Sequence, residues 1–154
     1  MRALAVICLT ALLSGCATSP PAPPMETVRK VAGGPDEVLA RIQAASGTLG
    51  LSAQPGAGPR LRLVRASAPA EWADCPTRLV RQQDDDRGAR IDFAAPQARS
   101  AAVDVGLAGG PEGTTVSLSP HFAATYRDIY RNLSFTRDCT SLGVLERSLL
   151  DAAG

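Results

Sequence analysis

Ala101, Val103, Val105 and Leu107 alternate with Ala102, Asp104 and Gly106, and Val116 and Leu118 repeat the pattern a short way on. A period of two predicts strands with one buried face. The intervening Gly109-Gly110-Pro111-Glu112-Gly113 predicts the turn of an antiparallel hairpin. Arg60-Leu61-Arg62-Leu63 alternates in the same way, and Thr77 to Gln82 and Arg90-Ile91-Asp92-Phe93 predict two more strands around a polar turn, Asp84 to Gly88. Phe122 to Tyr130 fits two periods: Phe122, Ala124 and Tyr126 suit a strand, whereas Tyr126, Ile129 and Tyr130 suit a helix. We read it as a strand that continues, after a turn, through Leu133 and Phe135 to Cys139.

A helical period flanks these strands. Gly34-Pro35-Asp36-Glu37 predicts a helix start, since proline fits the first turn and carboxylates face the positive end of the helix dipole. Val38, Leu39, Ile42 and Ala45 follow at helical spacing, Gly47 is a stop, and Gly50 to Pro59 reads as a loop. At the other end Leu142, Leu145 and Leu149, with Val144 and Leu150, form an amphipathic helix. The expectation is an α+β fold: an antiparallel sheet of four to six strands, with an N-terminal and a C-terminal helix packed on one face.

The first residues follow neither period. Arg2 precedes an apolar run of 11 residues, Ala3 to Leu13, which ends in Ser14-Gly15. This is the layout of a secretory signal, and the run is shorter than the roughly 20 residues a spanning helix needs. Pro20, Pro21, Pro23 and Pro24 follow, so residues 16–27 read as a semi-rigid tether and residues 28–154 as one domain.

Loss of the signal removes Arg2, one of 16 basic residues, and leaves 15 against 15 acidic ones. That neutrality argues against a nucleic-acid partner. Lys30 is the only lysine.

Four cysteines change the picture more. Cys8 leaves with the signal and Cys16 lies at its end, so an exported chain keeps Cys75 and Cys139 as an even pair, expected to form a disulfide. The pair would clip the start of the C-terminal helix to the loop carrying Trp72. Neither cysteine sits in a Cys-x-x-Cys and His121 is the only histidine, which leaves a zinc site without a ligand set. No metal and no cofactor is expected.

Other candidate chemistry is sparse. His121 follows Pro120 and reads as an exposed turn residue. Asp84-Asp85-Asp86 reads as a solvated turn, lacking the alternating ligands and distal glutamate of a calcium loop. No nucleophile elbow and no phosphate-binding glycine loop is present. Trp72 has two readings: packed over the disulfide, or exposed beside Tyr126 and Tyr130 as a partner-binding cluster. Arg60, Arg62, Arg78, Arg81 and Arg90, opposed by Asp92 and Asp104, are a second candidate surface on the open sheet face.

Leu13-Ser14-Gly15-Cys16, closing the apolar run, resembles the lipobox of bacterial lipoproteins. The resemblance covers residues 1–16. It implies diacylglycerol transfer to the Cys16 thiol, cleavage before Cys16 and acylation of the new amine, palmitate being a typical chain. Ala17-Thr18 follows in place of the aspartate that retains such proteins at the inner membrane. The resemblance therefore implies an outer-membrane lipid anchor, with the domain in the periplasm or at the cell surface. The order of elements is similar to the helix-grip and related small modules of envelope accessory lipoproteins, including those attached to the outer-membrane barrel-assembly machinery. Three function classes follow: a noncatalytic module that binds an envelope protein, which is favoured; a binder of a small apolar ligand or lipid in a sheet–helix cleft; and an enzyme.

Overall fold

The computed structural model describes residues 25–55, 60–81, 90–93, 95–128 and 132–154; residues 78–81, 90–93 and 128 are described by their backbone alone. In chain order the elements are β1 (Val28–Val31), α1 (Pro35–Thr48), β2 (Ser52–Pro55), β3 (Leu61–Arg65), a 3₁₀ turn (Ala70–Trp72), β4 (Ala73–Asp74), β5 (Arg78–Arg81), β6 (Arg90–Phe93), β7 (Ala98–Gly110), β8 (Gly113–Asp128), β9 (Leu133–Ser141) and α2 (Val144–Ala153). The fold is α+β and antiparallel, with two helices and one disulfide. Its main sheet has seven strands, in the order β2-β3-β7-β8-β9-β4 with β1 paired to β8, and not four to six; β5 and β6 form a separate two-stranded sheet.

The β7–β8 hairpin is the centre of the sheet. Its glycines do not make a five-residue turn: Gly109 and Gly110 continue the ladder, Gly110 pairs with Gly113, and only Pro111-Glu112 turns. Gly113 has φ of 119°, and a Cβ there would stand 2.2 Å from the carbonyl oxygen of Val31, so β1 can approach the hairpin only because this residue is glycine.

One edge of β8 serves two strands. β1 pairs with residues 114–117 and β9 with residues 122–128. The Leu118 amide, donating to the Thr27 carbonyl at 2.7 Å, faces this edge. Pro120, two residues on, faces the same way and falls in the gap between the two partners. A proline costs no ladder bond there, which explains how a 16-residue strand runs straight through it.

Directly paired residues share a sheet face. Leu63, Val103, Val105 and Leu118 therefore lie on one face, and all are buried. They form one contiguous core with Val38 and Ile42 of α1 and Leu145, Leu149 and Leu150 of α2. Leu142 is an exception to the predicted apolar stripe. It precedes α2 and is 49% exposed, because its amide donates to the Trp72 carbonyl at 3.0 Å and Gly143, at φ 72°, begins the helix.

α1 starts as its sequence predicts, with Gly34 extended at its N-cap and Pro35, Asp36 and Glu37 in its first turn. It does not stop at Gly47. The left-handed residue is Gly50, at φ 67°, and the amides of Gly50 and Leu51 donate to the carbonyls of Gly47 and Ser46 at 3.1 and 2.8 Å. This is a Schellman closure, in which the left-handed glycine follows the last helical turn. Arg65 Nη1 donates to the Leu49 carbonyl at 2.5 Å, adding a cation at the negative end of the helix dipole.

Candidate functional site

Cys75 lies two residues beyond Ala73, which pairs with Ser141, so it stands across from Cys139. The two form a disulfide with Cα atoms 4.4 Å apart and 64 residues of separation. Cys139 packs against both apolar clusters of the domain, the main core and a smaller group of Cys75, Ala124, Tyr126 and Phe135. The disulfide therefore joins the 3₁₀ turn and β4 to the sheet at the seam between the two clusters.

The aromatic candidates do not form a surface group. Trp72 is 4% exposed and belongs to the main core, with the Arg65 guanidinium 5.2 Å from its ring centroid. Tyr126 is fully buried in the smaller cluster, stacked on Phe135 at a centroid distance of 5.5 Å. It faces inward because its alternation with Phe122 and Ala124 places all three on the buried face. Its hydroxyl donates to the Pro76 carbonyl at 2.6 Å, and burial pushes its phenol above the ordinary value. Tyr126→Phe is expected to lower stability by about 1 kcal/mol, the worth of one hydrogen bond, read as a shift in the urea midpoint at unchanged slope. Tyr130 lies outside the described residues, as do Cys16 and Asp84-Asp85-Asp86.

The arginines divide between two sheets. Arg60 is exposed and precedes β3, and Arg62 pairs in register with Asp104 on the face opposite the helices, with Nη1 3.6 Å from Oδ2. Arg78, Arg81 and Arg90 belong to β5 and β6, so the five do not line the face of one sheet. Strand alternation shows only which residues share a face of their own strand; strand pairing decides which strands share a sheet. Arg62 and Asp104 are 44% and 32% exposed, a setting in which such a pair contributes about 0–1 kcal/mol.

His121 is inside β8 and not at a turn. It points to the same face, which no described element covers, with Nε2 3.7 Å from Asp138 Oδ1 and side-chain exposures of 61% and 84%. Around Arg62 and His121 the face carries mostly small residues: Ser100, Ala102, Ser119 and Ala123.

Three features have no sequence signal. Arg65 covers Trp72 and closes α1 from a position that looks like any other strand arginine. Glu146, fully buried in the first turn of α2, accepts from Ser141 Oγ at 2.5 Å, and that same oxygen accepts the Gly143 amide at 3.0 Å. Arg29 bonds both Glu26 and Asp151, tying the start of the domain to α2 and holding the Glu26 carboxyl below its usual range.

Among the described residues no group of three or more His, Cys, Asp or Glu could hold a metal ion, and no helix is long and apolar enough to cross a membrane. No family model matches the chain, and neither a curated protein nor a solved structure matches it.

Proposed function

We propose that this chain is a noncatalytic lipoprotein of the cell envelope, held by acylated Cys16 in the outer membrane, whose domain faces the periplasm and binds an envelope protein. The observation that carries the reading is Leu13-Ser14-Gly15-Cys16 at the end of a short apolar run, with a proline-rich tether after it. A single acyl chain gives reversible membrane attachment, whereas the three chains such processing leaves on one cysteine make it lasting. The disulfide suits an oxidising compartment.

With Trp72 and Tyr126 inside, the contact surface in this reading is the uncovered face around Arg60, Arg62 and His121. The alternative, an apolar ligand between sheet and helices, draws no support from Leu145, Leu149 and Leu150, which are fully buried in one core with the sheet.

Cys16→Ser is the test. The variant is expected to lose fatty-acid labelling completely and to leave the membrane fraction for the soluble one. Labelling that persists without Cys16 would overturn the anchor.

A further inference from the structure

The described chain begins at Met25, and that residue already sits against one end of the domain. A Cβ built on Gly143 would stand 3.5 Å from Met25 Cγ and 2.9 Å from Arg147 Nη1. Met25 and Arg147 therefore flank Gly143 at the start of α2, and Leu142 is the residue before it in the chain. Met25 is 45% exposed and Leu142 49%, two of four large apolar side chains left outside among the described residues. Leu142 is held in place by its backbone: its amide is bonded to Trp72, and Ser141 and Gly143 on either side are fixed by the Glu146 network.

The charges nearby are largely matched. Arg29 bonds two carboxylates, Glu26 and Asp151, and exposed Arg147 stands beside Met25 over Gly143. At a bilayer the apolar groups would enter the headgroup boundary and the Arg147 guanidinium would meet lipid phosphate.

Where the chain leaves the domain decides the occupant. Only residues 17–24 separate Cys16 from Met25, and at about 3.1 Å per residue they reach on the order of 25 Å. Acylation of Cys16 would hold the bilayer within that distance of this end, at a high effective concentration. We propose that the Met25–Leu142–Arg147 end of the domain rests on the bilayer that holds Cys16. This rests on the lipoprotein reading and adds to it an orientation: β2, at the opposite edge of the sheet, points away from the lipid.

The test uses the full acylated chain in phosphatidylethanolamine–phosphatidylglycerol vesicles, with and without bromine near the headgroup end of the acyl chains. Leu142→Trp adds a reporter at the patch and Ala53→Trp one on exposed β2; the wild type, whose only tryptophan is buried Trp72, sets the background. Emission added by Leu142→Trp is expected to fall by roughly half in brominated vesicles, as for a side chain at the acyl boundary, while that from Ala53→Trp stays unchanged. Equal quenching at the two positions, or none, overturns the orientation. Shielding of Leu142→Trp that rises with protein density and ignores bromine also overturns it, by assigning the patch to a second copy. A chain whose Cys16 peptide carries no lipid mass and which does not float with vesicles overturns the anchor itself, and the orientation with it.

Discussion

The domain with Cys75 and Cys139 both replaced by serine is expected to be less stable than the wild type by about 4 kcal/mol, the loop-entropy value for a crosslink of this span. The bridge spans 64 residues of sequence, a stretch that includes β5, β6, β7, β8 and most of β9. Without it the 3₁₀ turn and β4 are held by a two-residue pairing with β9, the Leu142–Trp72 backbone bond and the side chain of Trp72. Domains of this size have a net stability of about 5–15 kcal/mol, so the loss takes a large share of it. Equilibrium urea denaturation of oxidised wild type and of the double serine variant measures the difference. A loss below about 1 kcal/mol would mean that β4 and Trp72 already order the segment without the crosslink. Cells that cannot form disulfides are then expected to accumulate less of the protein, because destabilised chains spend more time open to proteases.

Much of the sheet is legible in residues whose neighbours in sequence are also their neighbours in space. Val103 and Val105 alternate with polar or small residues, so their face is readable before their partner strands are known. Pro35, Asp36 and Glu37 mark the start of α1 by local chemistry alone. The end of α1 is less legible, because Gly47 and Gly50 both fit a helix stop, and only the bonds from Gly50 and Leu51 select the second. β1 is hidden for a different reason. In Val28-Arg29-Lys30-Val31 only Val31 is buried, so the strand shows no alternation and exists through its pairing with β8. Pro120 argues locally against a strand and is tolerated because of where β1 ends and β9 begins. The candidate surface was legible least of all. Whether Arg62 shares a sheet with Arg78, and whether Trp72 faces water or the core, depend on contacts between distant segments that composition and period do not encode.

Trp72→Ala is expected to cost about 3–5 kcal/mol, the range for removing a buried large aromatic. Trp72 is 4% exposed, so truncation leaves a cavity under the 3₁₀ turn. It also removes the ring beneath the Arg65 guanidinium, worth about 0.5–1 kcal/mol at a partly exposed site. The backbone bond from Leu142 to the Trp72 carbonyl survives the substitution, and Trp72→Phe keeps most of the apolar contact, so phenylalanine should recover much of the loss. Arg62→Ala provides the contrast: its pair with Asp104 is solvent-exposed, and stability should move by no more than about 0.5 kcal/mol. The two variants separate fold from function. If an envelope partner is crosslinked to the wild type in cells and lost with Arg62→Ala, the uncovered face is the contact, since the fold is unchanged. If the partner is lost with Trp72→Ala, the loss reports a domain that no longer holds its shape, and denaturation of that variant should show it. A Trp72→Ala domain that unfolds at the wild-type urea concentration would contradict this placement of the tryptophan in the core.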